Sequence, residues 1–115
     1  IVAFGFYTGL FQDLFSSPPV ARLEIDYGSR RRAFEGEIMS EMSVLDALLA
    51  SSRGGGFEVR YVILADTTDV MKIDGLIEDG LDGHWSFYLN GQRIETAEIH
   101  KVRVRPGDKV LVKFE

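Results

Sequence analysis

The stretch from residue 84 to residue 114 constrains the fold more than any other part of this sequence. Apolar and polar side chains alternate over residues 85–89, and the turn dipeptide Asn90-Gly91 follows. A second alternating run at residues 102–104 leads through a Pro-Gly-Asp turn to a last strand at residues 110–114. Period-two alternation interrupted by such turns is typical of antiparallel β-structure. The sequence therefore predicts several strands that neighbour one another in one sheet.

The first half of the chain contains a hairpin pattern and a helix signature. Alternating residues at 20–27 and 30–39 flank a Gly-Ser turn and predict two paired strands. Ser43 is a suitable helix N-cap, and Asp46 three residues later completes a capping box. The glycine run at residues 54–56 marks the end of this helix.

Shorter elements are predicted between the helix and the last strands. Residues 57–64 have apolar side chains on both faces, which favours a strand that is partly covered on both sides. A turn at residues 66–69, a short strand at 70–73 and an acidic loop at 74–84 follow.

Size and composition predict one domain and exclude several kinds of site. A chain of 115 residues can bury roughly 65% of its unfolded surface in a single core. The sequence contains no cysteine, which excludes disulfides, cysteine zinc sites, thiol nucleophiles and cysteine-bound iron–sulfur clusters. The net charge of −5 gives no general attraction to nucleic acid, so we expect no nucleic-acid partner.

No residues in the sequence have the spacing of a catalytic or metal site. The two histidines, His84 and His100, lack the helical spacing of a zinc pair. Ser43 and Asp46 are already explained by helix capping, and no nucleophile-elbow motif is present. We therefore predict that the chain is not an enzyme and carries no metal or cofactor.

The N-terminal segment is apolar and rich in aromatic side chains. Residues 1–11 carry no charge, but a complete membrane helix needs about 20 apolar residues. The segment therefore fits the last turns of a membrane helix, with its aromatic side chains at the membrane–water boundary. The alternatives are a soluble arm that packs on the domain and the remnant of a signal sequence. The predicted membrane contacts are Phe4, Phe6, Tyr7, Phe11 and Phe15.

A Ser-Ser-Pro-Pro breaker separates this segment from the rest of the chain. Proline removes a backbone donor and favours extended backbone, as in a linker. Residues 1–19 are therefore predicted to be an arm or anchor with its linker, and residues 20–115 a single domain. The chain begins with Ile rather than Met, so we expect that it starts after processing or inside a longer polypeptide.

The acidic loop and the strand after it contain candidate contacts for a ligand or partner. The loop has three Asp-Gly pairs, but their spacing does not fit a calcium-binding loop that ends in Glu. A cluster of solvated turns is the favoured interpretation. The candidate contacts are Asp79, Asp82, His84 and Tyr88.

Arg30, Arg31 and Arg32 form the basic cluster of the sequence. On a strand, Arg30 and Arg32 share one side and Arg31 takes the other. One interpretation is a contact with lipid headgroups or an acidic partner. The favoured interpretation is a solubilising hairpin end whose arginines pair with acidic neighbours. Those neighbours are Glu24, Glu35 and Glu37.

Four motifs occur in the order found in a known family. They are Ser43-Val44-Leu45-Asp46-Ala47-Leu48, Ile73-Asp74-Gly75, Trp85-Ser86-Phe87-Tyr88-Leu89-Asn90-Gly91 and Pro106-Gly107-Asp108-Lys109-Val110. With these motifs and the order strand, strand, helix and further strands, residues 20–115 resemble the transcobalamin-like C-terminal β-grasp (ubiquitin-like) family. The resemblance implies an α+β fold in which a mixed sheet packs on one helix.

The resemblance also shapes what we expect of the function. The best-known members of that family combine this domain with a larger helical domain to enclose cobalamin. This sequence has no helical domain, so the resemblance does not extend to cobalamin binding. Many relatives resemble modules appended to membrane or surface proteins, which suits the apolar N-terminal segment. We therefore expect a non-catalytic, membrane-tethered accessory module that docks on or stabilises a larger membrane protein complex.

A second class of function stays open. A soluble domain of this kind would hold a small molecule or glycan against the sheet or the acidic loop, with Tyr88 among the contacts. For the tethered module, Arg22 is the first positive residue after the apolar segment. That sparseness of positive charge favours a domain on the periplasmic or extracellular side.

Overall fold

The computed structural model describes residues 19–78 and 83–115. Within them the chain forms an α+β fold in which a mixed sheet and a smaller antiparallel sheet share one core with a helix. The elements are β1 (Val20–Asp26), β2 (Arg31–Glu37), α1 (Val44–Gly55), β3 (Val59–Leu64), β4 (Thr67–Ile73), β5 (Leu76–Ile77), β6 (Trp85–Leu89), β7 (Gln92–Ile94), a short 3-10 helix (Thr96–Glu98) and β8 (Lys109–Phe114).

The main sheet has five strands among the described residues, in the order β2-β1-β8-β6-β7. Strand β1 pairs antiparallel with β2 and parallel with β8, so the first and last strands lie side by side at its centre. The register places Leu23 opposite both Phe34 and Val110, and all three side chains are buried. Rows of this kind form the inner face of the sheet, as the alternation of the sequence predicts.

Helix α1 begins and ends where the sequence signals place it. The Ser43 hydroxyl accepts a hydrogen bond from the Asp46 N–H at 3.1 Å, and the Asp46 carboxylate accepts one from the Ser43 N–H at 2.9 Å. The predicted capping box is therefore confirmed. At the other end Gly56 has a φ of 69°, a conformation that glycine adopts without a steric penalty. The apolar side of the helix packs into the core through Val44, Leu45, Ala47, Leu48 and Ala50.

Trp85 lies between the two sheets and is 2% exposed. Its indole N–H donates to the Leu76 carbonyl oxygen at 3.1 Å, and this bond satisfies the donor that burial removes from water. Its ring packs edge-on against Tyr27 and Phe114. Strand β6, which contains Trp85, pairs antiparallel with β8, so the prediction that these two segments are neighbours in one sheet is confirmed.

The small sheet has the order β3-β4-β5 within the described residues. Its inner face contributes Thr68, Val70 and Ile73 to the buried interior. Residue Met71 is the extra residue of a bulge, because Arg60 lies opposite Lys72 and Tyr61 lies opposite Val70. Bulges of this kind bend a strand and increase its local twist.

One prediction for this part of the chain holds only in part, and another is wrong. Residues 57–64 were expected to form a strand partly covered on both sides. Val59 and Val62 are partly buried, but Tyr61, Ile63 and Leu64 are 37%, 43% and 69% exposed. The reason is that β3 lies at the border of the small sheet rather than inside the main one. The turn expected at residues 66–69 instead lies at Ala65 and Asp66, and β4 already starts at Thr67.

The alternating run at residues 102–104 also differs from expectation. It forms no strand of the main sheet, and its link to the rest is an isolated bridge between Ser43 and Arg103. By contrast, Asn90 and Gly91 have the positive φ values, 51° and 85°, of the predicted hairpin turn. The predicted arm at residues 1–19 lies outside the described residues except for Pro19.

Candidate functional site

The small sheet exposes one side of its outermost strand. Among the described residues β3 has a single neighbour, β4, and its other side faces away from the sheet. We call this surface the β3 edge, defined by its exposed apolar residues Tyr61, Ile63 and Leu64. Edge strands of native sheets are normally guarded by charges, proline or a covering segment. Strand β3 has one charged residue, Arg60, and no proline.

The turn after β3 determines which backbone groups face outward. Ala65 and Asp66 have φ values of 50° and 61°, as in a two-residue type I′ turn. In such a turn the Leu64 carbonyl accepts from the Thr67 N–H, so this pair is a hydrogen-bonded pair of the ladder. Hydrogen-bonded and non-hydrogen-bonded pairs alternate along an antiparallel ladder. The N–H and C=O groups of Ile63 therefore point away from β4.

The same alternation applies two residues earlier, at Tyr61. Its N–H and C=O groups also point outward, because Tyr61 and Ile63 are two residues apart and the direction of the backbone groups alternates along β3. Among the described residues, no turn or loop hydrogen bond between backbone groups involves either of them. The β3 edge thus combines apolar side chains with two pairs of outward-facing backbone donors and acceptors.

Side chains from the far end of the chain hold the β3–β4 turn in place. The Asp66 carboxylate contacts His100 Nε2 at 3.0 Å and Lys101 Nζ at 2.5 Å. His100 Nδ1 lies 2.6 Å from the Thr68 hydroxyl. Hydrogen bonds from Lys101 and then His100 lower the pKa of the exposed Asp66 carboxyl. This contact fixes the orientation of the edge.

The sequence analysis considered His100 only as a possible zinc ligand together with His84 and missed this role. One signal was present in the sequence. A two-residue hairpin loop made of Ala65 and Asp66 lacks the glycine that left-handed backbone normally favours. Such a loop is expected to need contacts with other parts of the chain, here with residues 100–101.

A second polar cluster joins the N-terminal hairpin to the small sheet. The Asp74 carboxylate accepts hydrogen bonds from the Tyr27 hydroxyl at 2.7 Å, from Arg32 at 2.9 Å and from Arg30 at 3.3 Å. Arg32 also donates to the Gly55 carbonyl oxygen at 2.8 Å, which ties in the end of α1. The cluster therefore holds three elements together.

Charge and burial act on the pKa values of this cluster. Burial raises the pKa of the Asp74 carboxyl, but hydrogen bonds from Tyr27 and Arg32 outweigh burial, and the pKa lies below its ordinary value. Burial and the neighbouring Asp74 carboxylate raise the pKa of the Tyr27 hydroxyl. The cluster is thus arranged to keep Asp74 charged and Tyr27 protonated.

These contacts correct part of the sequence prediction for the basic cluster. Arg31 pairs with Glu24 at 3.6 Å, as predicted, and also with Asp26 at 3.1 Å. Arg30 and Arg32 do not pair with the predicted glutamates. Both contact Asp74, which lies between β4 and β5 on the side of the hairpin opposite to the partners of Arg31. As predicted, the side chains of Arg30 and Arg32 point to one side of the hairpin and that of Arg31 points to the other.

The outer face of the main sheet contains a groove of about 560 Å³. The aromatic ring of Tyr88 and the side chain of Leu111 lie opposite each other across β6 and β8. The Tyr88 hydroxyl donates to the Glu115 carboxylate at 2.5 Å, and this bond raises the pKa of the half-buried tyrosine. Charged residues that line the groove are Arg22, Glu24, Lys109 and Lys113.

The other candidate contacts do not join this groove. His84 is exposed and pairs through its backbone with Glu115, with N–H to carbonyl distances of 3.2 and 2.9 Å. Asp79 and Asp82 lie outside the described residues, so the structure does not place them beside Tyr88 or His84. The predicted membrane contacts also lie outside the described residues: Phe4, Phe6, Tyr7, Phe11 and Phe15.

Two further observations apply to residues 19–78 and 83–115. No three His, Asp or Glu side chains in these ranges converge as metal ligands would. No helix formed within the same ranges is long and apolar enough to span a membrane.

The fold, but not the sequence, is similar to known proteins. No protein-family model matches the chain, and no curated protein matches its sequence. Haptocorrin in complex with Cbi superposes with a TM-score of 0.75 and 13% identity over 86% of this chain, which spans 25% of the haptocorrin chain. A proposed metal-binding protein from Ruminococcus gnavus ATCC 29149 superposes with a TM-score of 0.67 and 13% identity, over 84% of this chain and 95% of its own. At this identity the likeness establishes a structural relation and no ligand.

The Asp74 cluster leads to a prediction about stability and pH. The folded pKa of Asp74 lies below its ordinary value, which is about 3.9 in an unfolded chain. Its charge therefore stabilises the fold above that pH, and the contribution is lost as the pH falls through the folded pKa. We expect Asp74→Asn to lower the free energy of unfolding at pH 7 by about 1 to 3 kcal/mol.

Urea denaturation at a series of pH values measures this effect. The difference between wild type and Asp74→Asn should narrow as the pH is lowered below about 4. The exposed Asp69 provides a control, since Asp69→Asn removes a carboxylate from the same small sheet outside the cluster. A constant difference across the pH range would contradict the assigned role of Asp74.

Proposed function

We propose that this chain is a non-catalytic β-grasp module, tethered to a membrane by its N-terminal segment, that docks on a protein partner. The partner supplies a β-strand that pairs with the β3 edge. The observation that carries this proposal is the row of exposed apolar side chains and outward-facing backbone groups on β3. The module would serve as an accessory subunit of a larger membrane complex.

The order of strands supports the β-grasp part of the proposal. Helix α1 follows the β1–β2 hairpin, and the parallel pair β1 and β8 lies at the centre of the main sheet. This is the arrangement expected from the resemblance to the transcobalamin-like C-terminal family. The superposition on haptocorrin supports the same assignment.

Strand addition is the binding mode that suits an edge of this kind. An added strand satisfies the row of backbone donors and acceptors, which gives affinity, and its alternate side chains meet those of the edge, which gives specificity. A helix or a loop would cover the apolar side chains but leave the N–H and C=O groups of Tyr61 and Ile63 without regular partners. The backbone geometry therefore favours an extended segment over other partners.

The polar clusters support a non-catalytic module. The carboxylates of Asp66 and Asp74 are each engaged by cations that join separate parts of the chain. His100, the histidine in contact with a carboxylate, holds a turn next to the buried Thr68. Asp66, Asp74 and His100 thus stabilise the fold by joining separate parts of the chain.

The first experiment tests docking at the edge. Ile63→Lys places a charge on the apolar surface where the partner strand would lie. We expect the wild-type chain, purified in mild detergent, to retain a stoichiometric partner, and Ile63→Lys to lose it. In the wild-type complex, the amides of Tyr61 and Ile63 should exchange hydrogen more slowly than in the separated chain, since the added strand would bond to them.

Ile77→Lys is the matched control for this substitution. Ile77 is 57% exposed on β5, which forms the other edge of the small sheet. This variant should keep the partner, and urea denaturation should find both variants folded. Retention of the partner by Ile63→Lys, or unchanged exchange at Tyr61 and Ile63, would rule out the edge as the docking surface.

The second experiment tests the tether. The sequence of residues 1–15 supports membrane contact through its aromatic side chains. We expect the full chain to float with phosphatidylcholine vesicles in a density gradient and a chain lacking residues 1–17 to stay at the bottom. If the two chains distribute alike, the membrane part of the proposal is wrong, while docking at the β3 edge is judged by the first experiment.

A second candidate function is supported by the groove on the outer face of the main sheet. Its size is within the range of about 300 to 1,000 Å³ that small-molecule sites occupy. Tyr88 and Leu111 offer an apolar floor, and the lysines at its ends offer polar contacts. In this alternative the domain holds a small molecule or glycan whose ring stacks on Tyr88.

Native mass spectrometry of the freshly purified protein tests this alternative. We expect a bound small molecule to appear as an additional mass in the wild type and to disappear in Leu111→Glu, which places a carboxylate in the groove. Ile77→Lys again serves as the control and should retain the additional mass. A wild-type spectrum with the mass of the polypeptide alone would contradict the ligand-binding alternative.

A further inference from the structure

We propose that the strand that pairs with the β3 edge is β3 of a second copy of this chain, in an antiparallel register centred on Val62. The inference rests on the strand addition proposed above and identifies the partner of that same surface. Two copies related by a two-fold axis perpendicular to the small sheet would join their sheets into one of six strands, from the three of each copy.

The backbone directions of β3 are compatible with this register. An antiparallel pair forms hydrogen bonds when a residue with outward N–H and C=O groups lies opposite another of the same kind. In the proposed register Tyr61 lies opposite Ile63 of the second copy, and Ile63 opposite Tyr61 of the second copy. Both residues carry outward-facing groups, so each of these two pairs exchanges both hydrogen bonds.

The side chains also match across the two-fold axis. Tyr61 and Ile63 lie on the same face of β3. The side chain of Tyr61 in each copy would therefore contact that of Ile63 in the other copy. On the opposite face Val62 meets Val62 of the second copy, and Leu64 lies beside the aliphatic part of Arg60. A shift by one residue would bring opposite faces together and is therefore excluded.

Charge distinguishes the proposed register from the one centred on Tyr61. With Val62 at the centre, Arg60 lies opposite Leu64 of the second copy and about 13 Å along the strands from the second Arg60, so the two arginines do not repel each other. With Tyr61 at the centre, Arg60 would lie diagonal to Arg60, and Leu64 opposite Glu58.

The small size of the interface predicts a weak dimer. Stable interfaces bury roughly 1,200 to 2,000 Å², whereas the strand that would pair here is six residues long. Dimerisation should therefore depend on protein concentration in solution. A tether on one membrane would raise the effective concentration of two copies without any new contact.

The absence of cysteine from the sequence allows a direct test of the register. Val62 of the two copies would form a non-hydrogen-bonded pair with Cα atoms about 4.5 Å apart, which is within the disulfide range of about 4.4 to 6.8 Å. We expect Val62→Cys to form a disulfide-linked dimer when the full chain is treated with oxidised glutathione. Non-reducing gel electrophoresis follows the reaction.

Leu64→Cys is the matched control. Residue 64 is more exposed than its neighbours on β3, so chance collisions would link this variant at least as fast. In the proposed register, however, its two copies lie about 13 Å apart along the strands. Val62→Cys should therefore cross-link roughly tenfold faster or more. Equal rates, or a faster reaction of Leu64→Cys, would overturn the proposed register.

Analytical ultracentrifugation of the wild-type chain provides an independent readout. The apparent mass should rise towards that of a dimer with concentration, and this rise should be lost in Ile63→Lys but kept in Ile77→Lys. A wild-type chain that stays monomeric, together with no cross-link of Val62→Cys, would refute pairing between copies. If Ile63→Lys still loses a different protein partner, the docking proposal stands and the self-pairing inference alone fails.

Discussion

The parallel pairing of β1 with β8 is the constraint on which the rest of the structure depends. It joins the first and last strands of the described domain at the centre of the main sheet, so the chain between them must return to its starting point. The other strands of the main sheet and the helix pack around that pair: β2 on one side, β6 and β7 on the other, and α1 across the inner face. Parallel strands cannot be joined by a tight turn. The long connection that the pairing requires is where the small sheet, and with it the candidate site, is formed.

The small sheet is held against the main domain by contacts at separate points. Asp74 binds the arginines of the hairpin, the indole of Trp85 donates to the β5 backbone, and Asp66 is held by His100 and Lys101. These ties fix β4, β5 and the β3–β4 turn, and they leave the outer side of β3 uncovered among the described residues. The exposure of the edge thus follows from the way in which the sheet is attached. An isolated pair of strands is marginally stable in water, so the ties also allow this edge to persist as an ordered surface.

Local signals in the sequence were enough to predict the elements whose geometry depends on near neighbours. The capping box at Ser43, the hairpin turn at Asn90 and the alternation around Trp85 are all of this kind. The candidate site could not be predicted in the same way. A run such as residues 59–64 has the same alternation whether its strand is central or at an edge, and only the strand order decides which. The two arginines that contact Asp74 lie 42 and 44 residues away from it, and no local pattern encodes that pairing. The pairing of Arg30 and Arg32 with sequence neighbours was wrong for that reason.

The bulge at Met71 affects which strands could pair with the β3 edge. An extra residue on β4 prevents β3 from sliding along its neighbour, because any slip would have to move the bulge as well. The register between β3 and β4 is therefore fixed, and the same two amides, those of Tyr61 and Ile63, always face outward. A strand free to slip would present either of two alternating faces and would accept unrelated sequences. A residue without a partner on β3 would thus make the exposed edge selective for the strand that it binds.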